Sequence, residues 1–171
     1  MRHDCDDDQE RLLAKAQRAL VAMRRDREFE ALDHMRPAGD VPDEGSSETR
    51  KLVLLLFSEC SAMVAALGNG GSTPVKVQVF DSGGDEVTID QVEPAVRTAV
   101  RTLLAEVQGN PGDAEQQVRI ALSSATPEEV VSLMMQALRW TLRLAVECLE
   151  RDLAVADWIV EALTGSHGRE P

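Results

Sequence analysis

The sequence predicts a mainly α fold: a helical domain of about five helices, with one β-hairpin at about residues 75–89 inserted between the second and third helices. Two observations support this prediction. Apolar residues recur at spacings of three and four over most of the chain, which is the spacing of residues on one face of a helix. Near residue 75 the spacing changes to two, and a glycine-containing turn follows, as between two antiparallel strands.

The first predicted helix covers residues 6–35. Residues 24–28 are all charged, so we expect its second half to be more solvated than its first. The first half has an apolar face at helical spacing, formed by Leu12, Leu13, Ala16, Ala19, Leu20 and Met23.

The segment 36–47 divides the chain into regions. It holds two prolines and two glycines among acidic residues, and this composition predicts a flexible linker. The linker would separate an N-terminal helical arm, residues 1–35, from a helical core domain at 48–164. A disordered tail is expected at 165–171.

The second helix is predicted from about Ser47 to Leu67. Apolar residues cover most of its circumference, so we expect it to be buried on most sides.

After a glycine-rich stretch, Val75, Val77 and Val79 alternate with other residues in the first strand of the hairpin. Because an isolated two-stranded ribbon is marginal in water, the hairpin should pack on helices, gain a third strand, or pair with the ribbon of another subunit.

The third helix is predicted from about Val92 or Pro94 to Gln108. In the next segment, alternating apolar residues make 117–122 a candidate third strand. We favour a short helix there, because Asp113 and Gln116 have the spacing of a capping box.

The last long helix, residues 127–151, has the clearest start signal in the chain. Thr126 has the position of an N-cap, Pro127 follows, and Glu129 completes a capping box. The segment after Asp152 either continues this helix or bends back. The polar residues of the helix form one narrow stripe, consisting of Ser132, Gln136, Arg139, Arg143, Glu147 and Glu150. A helix that is apolar elsewhere is expected at the centre of a domain or in a subunit interface.

Charge and composition argue against several classes of partner. The 171-residue chain carries 30 acidic and 18 basic residues, a formal net charge of −12, so it does not attract nucleic acid or anionic membranes in general. Only five residues are aromatic, which disfavours base stacking. The three cysteines form no CxxC pair, and the N-terminus lacks the apolar core of a signal peptide. These features predict a cytoplasmic protein with reduced thiols.

The sequence contains no recognisable catalytic, cofactor-binding or metal-binding motif. The three histidines lie in expected tails or beside the linker, at His3, His34 and His167, where we do not expect a nucleophilic site. Cys60 and Cys148 fall on apolar helical faces and are expected to be small buried side chains. We therefore expect a protein without a cofactor that is not an enzyme.

The predicted function is a non-catalytic protein–protein interaction or regulatory role, with a homodimer and an unidentified protein partner. Two alternatives stay open: a small helical enzyme with a carboxylate or metal site between subunits, and an acidic inhibitor of a nucleic-acid-binding protein. The even spread of negative charge along the chain weakens the inhibitor hypothesis. The expected interface residues are Leu12, Leu20, Val75, Val77, Val79, Val131, Met135, Leu138 and Leu142.

Overall fold

The computed structural model describes residues 2–37, 42–69, 78–80 and 83–165. The described part is mainly helical, with a two-stranded antiparallel hairpin between the third and fourth helices, which confirms the predicted fold class. Its seven helices are α1 (Arg2–Arg24), α2 (Glu28–Met35), α3 (Pro42–Leu67), α4 (Pro94–Val107), α5 (Pro111–Ser124), α6 (Pro127–Glu150) and α7 (Asp157–Thr164). The strands are β1 (Val79–Phe80) and β2 (Glu86–Val87), and a short 3-10 turn follows at Ile89–Gln91.

The prediction of one continuous helix over 6–35 is wrong. The chain leaves the helix after Arg24, and Asp26 adopts the left-handed region with φ of 56°. The Arg27 amide then donates to the Ala22 carbonyl at 2.9 Å. A run of charged residues gives the chain no apolar face to bury here, and Asp tolerates the left-handed conformation better than most residues. The break allows α2 to pack against α1.

The helix α3 is central to the core. It begins at Pro42 rather than near Ser47, so residues 42–47 of the expected linker are helical, while 38–41 lie outside the described residues. Phe57 is fully buried, and its ring meets that of Trp140 on α6 edge-on, with centroids 6.0 Å apart. α3 packs on α4, α5 and α6, as expected for a helix that is apolar on most sides.

The described part of the hairpin consists of two short strands, and the segment after it is tied to the start of α4. Val79 lies opposite Val87, and Phe80 lies opposite Glu86. Val75, Val77 and residues 81–82 of the predicted hairpin lie outside the described part of the chain. Beyond β2, the Arg97 guanidinium donates to the carbonyl oxygens of Asp90 and Val92 at 3.1 and 3.2 Å, which joins the 3-10 turn to α4.

Residues 117–122 belong to α5 and are helical, as favoured from the sequence. The predicted capping box at Asp113 and Gln116 is wrong, because the helix begins earlier. Asn110 is the N-cap residue and Pro111 the first helical residue. Proline is well suited to this position, since its missing amide hydrogen would have no partner within the helix.

The start of α6 confirms the capping box. The Thr126 hydroxyl accepts from the Glu129 amide, and the Glu129 carboxylate accepts from the Thr126 amide, both at 3.3 Å. The helix ends at Glu150, Asp152 takes a left-handed φ of 54°, and the chain turns into the separate helix α7. The segment after Asp152 therefore bends back and does not continue the long helix, which was the second of the two predicted alternatives.

The first and last described helices pack against each other. The Gln17 amide on α1 donates to the Trp158 carbonyl of α7 at 3.1 Å, and the Arg24 guanidinium donates to the Leu163 carbonyl at 2.8 Å. Apolar residues of α1 share one core cluster with those of α3, α6 and α7. The division into an arm and a core domain stays a prediction. None of the described helices is both long and apolar enough to cross a bilayer.

Candidate functional site

The residues predicted to form an interface fall into four groups in the structure. Val79 and Leu142 are half-buried, Val131 is 39% exposed, and Val75 and Val77 lie outside the described residues. The other four, Leu12, Leu20, Met135 and Leu138, are buried within the chain itself. Intramolecular packing accounts for the burial of these four, so they do not need a second copy to cover them. The interface as a whole stays a prediction.

A different apolar side chain is presented to solvent. Phe29 on α2 is 88% exposed, more than any other large apolar residue described. Successive helical residues are about 100° apart, so Phe29 points away from the packed side of α2, where Ala31 and Met35 are fully buried. We call the surface formed by Phe29, Asp33 and Arg36 the outer face of α2. Asp33 and Arg36 form an exposed ion pair, in which Nε of Arg36 lies 3.4 Å from Oδ1 of Asp33.

Polar contacts hold α2 on the body. The Arg139 guanidinium of α6 lies 3.1 Å from the Glu28 carboxylate at the start of α2. At the other end, the Lys15 ammonium of α1 donates to the Arg36 carbonyl at 2.8 Å and lies 3.0 Å from the Glu48 carboxylate of α3. Together with the burial of Met35, these contacts fix the orientation of the outer face.

A cleft of about 450 Å³ lies between α1, α2 and α7, and we call it the three-helix cleft. α1 contributes side chains that recur at helical spacing along one face, and α2 and α7 form the opposite walls. The lining residues are Ala14, Gln17, Arg18, Val21, Ala22 and Arg25 of α1, Glu30 and His34 of α2, and Glu161 and Ala162 of α7.

The two acidic groups of the three-helix cleft have polar partners. The Glu30 carboxylate lies 3.4 Å from the Arg27 guanidinium and 3.7 Å from His34 Nε2, and the Glu161 carboxylate accepts from the Gln17 amide at 3.1 Å. By contrast, neither Arg18 nor Arg25 forms an ion pair with a side chain that the structure describes.

A second, more open groove of about 550 Å³ runs between α1, α3, α4 and α5. It contains the exposed Cys5 and two cations, Arg50 and Lys51. Burial raises the pKa of the Glu106 carboxyl in its wall. Its apolar lining includes Leu54 and Leu55 of α3, but polar and charged side chains make up most of the lining.

The cysteines of the core have inert surroundings. Cys60 is buried with its Sγ 3.3 Å from the Thr141 hydroxyl, and the Cys148 thiol donates to the Met63 carbonyl at 3.6 Å. Burial raises the pKa of Cys60 to about 12 and also raises the pKa of Cys148. A thiol that rarely ionises is a poor nucleophile. The expectation that both cysteines are buried is confirmed.

Within the described ranges, no group of three His, Cys, Asp or Glu side chains is placed to hold a metal ion. His34 is the one histidine whose side chain is described, and it lies beside Glu30 in the three-helix cleft. His167 falls outside the described residues.

Sequence reasoning missed the three-helix cleft, although one signal was present. Ala14, Arg18, Val21 and Arg25 have the spacing of a single helix face, and two arginines within an apolar stripe indicate a face that is neither pure core nor pure solvent surface.

No protein-family model matches the chain, and it has no significant similarity to a curated protein or a solved structure.

Proposed function

We propose that the protein is a non-catalytic association protein and that it self-associates through the outer face of α2. The observation that carries this proposal is the 88% exposure of Phe29 on a helix whose other side is packed and held in place. Aromatic side chains are enriched in protein–protein interfaces, where a few buried anchors supply most of the binding free energy.

The composition of the chain makes this exposure informative. Scattered exposed apolar residues are common on monomeric proteins, but this chain has only three phenylalanines, two tryptophans and no tyrosine. Phe57 is fully buried, and Trp140 and Trp158 pack against the core. A chain with so few aromatic residues places one of them almost wholly in water.

The contacts that hold α2 in place also support a role for Phe29 in an interface. The Glu28–Arg139 contact at 3.1 Å and the buried Met35 hold α2 on the body, so Phe29 is anchored on ordered backbone before it meets a partner. Ordering the anchor in advance reduces the entropy lost on binding.

The outer face is also suited to a second copy of itself. It carries an apolar residue, Phe29, next to an acid, Asp33, and a base, Arg36. In a two-fold arrangement the same surface meets itself, so each Arg36 can pair with the Asp33 of the other copy while the two phenylalanine rings meet. A stable dimer needs more than about 1,000 Å² of buried surface. The interface would therefore extend beyond α2, for example onto α6, whose Arg139 lies beside the start of α2.

Light scattering coupled to size exclusion tests the proposal. At high micromolar concentration we expect the wild type at twice the 18.7 kDa mass of the chain and the Phe29→Ala variant at the monomer mass. Phe80→Ala removes another exposed phenylalanine, 55% exposed on the hairpin, and should leave the dimer intact. A monomeric wild type, or a Phe29→Ala variant that still dimerises, would refute the proposal.

We also propose that the protein works in the cytoplasm. The buried thiols of Cys60 and Cys148 contact a hydroxyl and a carbonyl oxygen, and such reduced cysteines are typical of a reducing compartment.

A further inference from the structure

We propose that the three-helix cleft binds a small organic dianion whose two acidic groups are separated by an apolar spacer. This inference concerns a ligand site and is independent of the proposed self-association. It rests on the order of charged and apolar side chains along the cleft.

The two arginines lie at opposite ends of an apolar stretch. Arg18 and Arg25 are seven residues apart on α1, about 10 Å along the helix axis. Val21 and Ala22 lie between them, and Ala162 of α7 also lines the cleft. Ala22 and Ala162 are almost completely buried. A ligand that follows this face therefore meets a cation, an apolar floor and a second cation in turn.

Each arginine places a cation along the cleft, which also contains two carboxylates with polar partners of their own. Glu30 already has Arg27 and His34 beside it, and Glu161 already accepts from Gln17. Arg18 and Arg25 have no such partner among the described side chains. A guanidinium presents several N–H donors in a planar fork and binds a carboxylate or phosphate through two parallel hydrogen bonds. The two arginines thus have donors available to a ligand.

The cleft is formed before any ligand enters. Gln17 fixes α7 through the Trp158 carbonyl, and Arg24 fixes the end of α7 through the Leu163 carbonyl. The volume of about 450 Å³ lies within the range of small-molecule sites, about 300–1,000 Å³. A small molecule therefore fits without movement of a helix.

Calorimetric titration of the full chain with a series of saturated dicarboxylates, from succinate to sebacate, tests the inference. We expect the longer members to bind, and octanoate, with a single acidic group, to bind about tenfold more weakly than suberate. Succinate and inorganic phosphate are too short to reach both arginines and should bind weakly. Binding should weaken as salt rises, because the arginines are exposed.

Three variants assign the site. Arg18→Gln and Arg25→Gln should each weaken suberate binding about tenfold, whereas Arg119→Gln, which removes an exposed arginine of α5 outside the cleft, should leave it unchanged. The melting temperature without ligand checks that each variant is folded. The inference is overturned if no dicarboxylate binds, if octanoate binds as well as suberate, or if all three arginine variants behave alike. Phe29→Ala should bind suberate normally, which separates this site from the association surface.

Discussion

The thiol of Cys60 should be the least reactive in the protein. It is fully buried on α3, and burial raises its pKa from an ordinary value of 9.0 to about 12, with Glu59 adding to the rise and the hydrogen bond to Thr141 opposing it. A rise of three pKa units lowers the thiolate fraction at pH 8 about a thousandfold. Because the thiolate is the reacting species, modification of Cys60 should occur through opening of the core rather than in the native state.

Reaction with Ellman's reagent at pH 8 measures this directly. We expect a rapid phase from the exposed Cys5 and slow phases from the buried Cys60 and Cys148. The variants Cys5→Ser, Cys60→Ala and Cys148→Ala assign each phase. Sub-denaturing urea should accelerate only the slow phases, since it raises the population of open states. Equal rates for all three thiols in native buffer would refute the described packing of α3 against α6.

The same pKa shift sets a pH dependence of stability. The folded state favours the neutral thiol, so the contribution of Cys60 is complete below the unfolded pKa of about 9 and is lost as pH rises toward the folded pKa of about 12. The free energy of unfolding should therefore decline less steeply above pH 9 in Cys60→Ala than in the wild type. Cys5→Ser serves as the control and should keep the wild-type slope.

Three further substitutions test the fold by urea unfolding. Thr126→Ala removes the capping box of α6 and should lower the free energy of unfolding by about 1 kcal/mol, whereas Ser124→Ala at a nearby exposed position should have little effect. Phe57→Ala empties a fully buried site against Trp140 and should lower the free energy of unfolding by about 3–5 kcal/mol. A loss below about 1 kcal/mol would contradict the described core. Asp26→Val places a β-branched residue at φ of 56° and should lower the free energy of unfolding by about 1–2 kcal/mol. Asp26→Gly should be neutral or stabilising.

The helices were predictable wherever a long apolar face and a local stop signal agreed. The start of α6 follows from Thr126, Pro127 and Glu129, three neighbouring residues whose hydrogen bonds depend little on the rest of the fold. The hairpin was predictable for the same reason, because its alternation and its turn are local features of the sequence.

The breaks within the helical regions were harder to predict. Asp26 adopts a left-handed conformation, yet an aspartate among arginines is equally common on an exposed helix surface. Without the break, Phe29 and Met35 appear as members of one continuous apolar face. The structure buries Met35 and exposes Phe29, and this difference depends on how α2 turns back against α1.

The three-helix cleft was beyond local sequence patterns. Its charged residues come from α1 and α2, which are neighbours in the chain, and from α7 at the far end of the described residues, with Arg18 on α1, His34 on α2 and Glu161 on α7. Which of these charges have partners depends on tertiary contacts such as the one between Gln17 and Glu161. Periodicity shows which side chains share a helix face, but it does not show which other helix lies against that face.

The contacts between α1 and α7 affect how the chain can fold during synthesis. Arg24 and Leu163 are 139 positions apart, and Gln17 and Glu161 are 144 apart. The surface of α1 that meets α7 therefore stays uncovered until almost the whole described chain has emerged from the ribosome. Synthesis proceeds at about 5–20 residues per second. Such distant contacts slow folding, and for several seconds the part of α1 that meets α7 would be available to a chaperone or to another nascent chain.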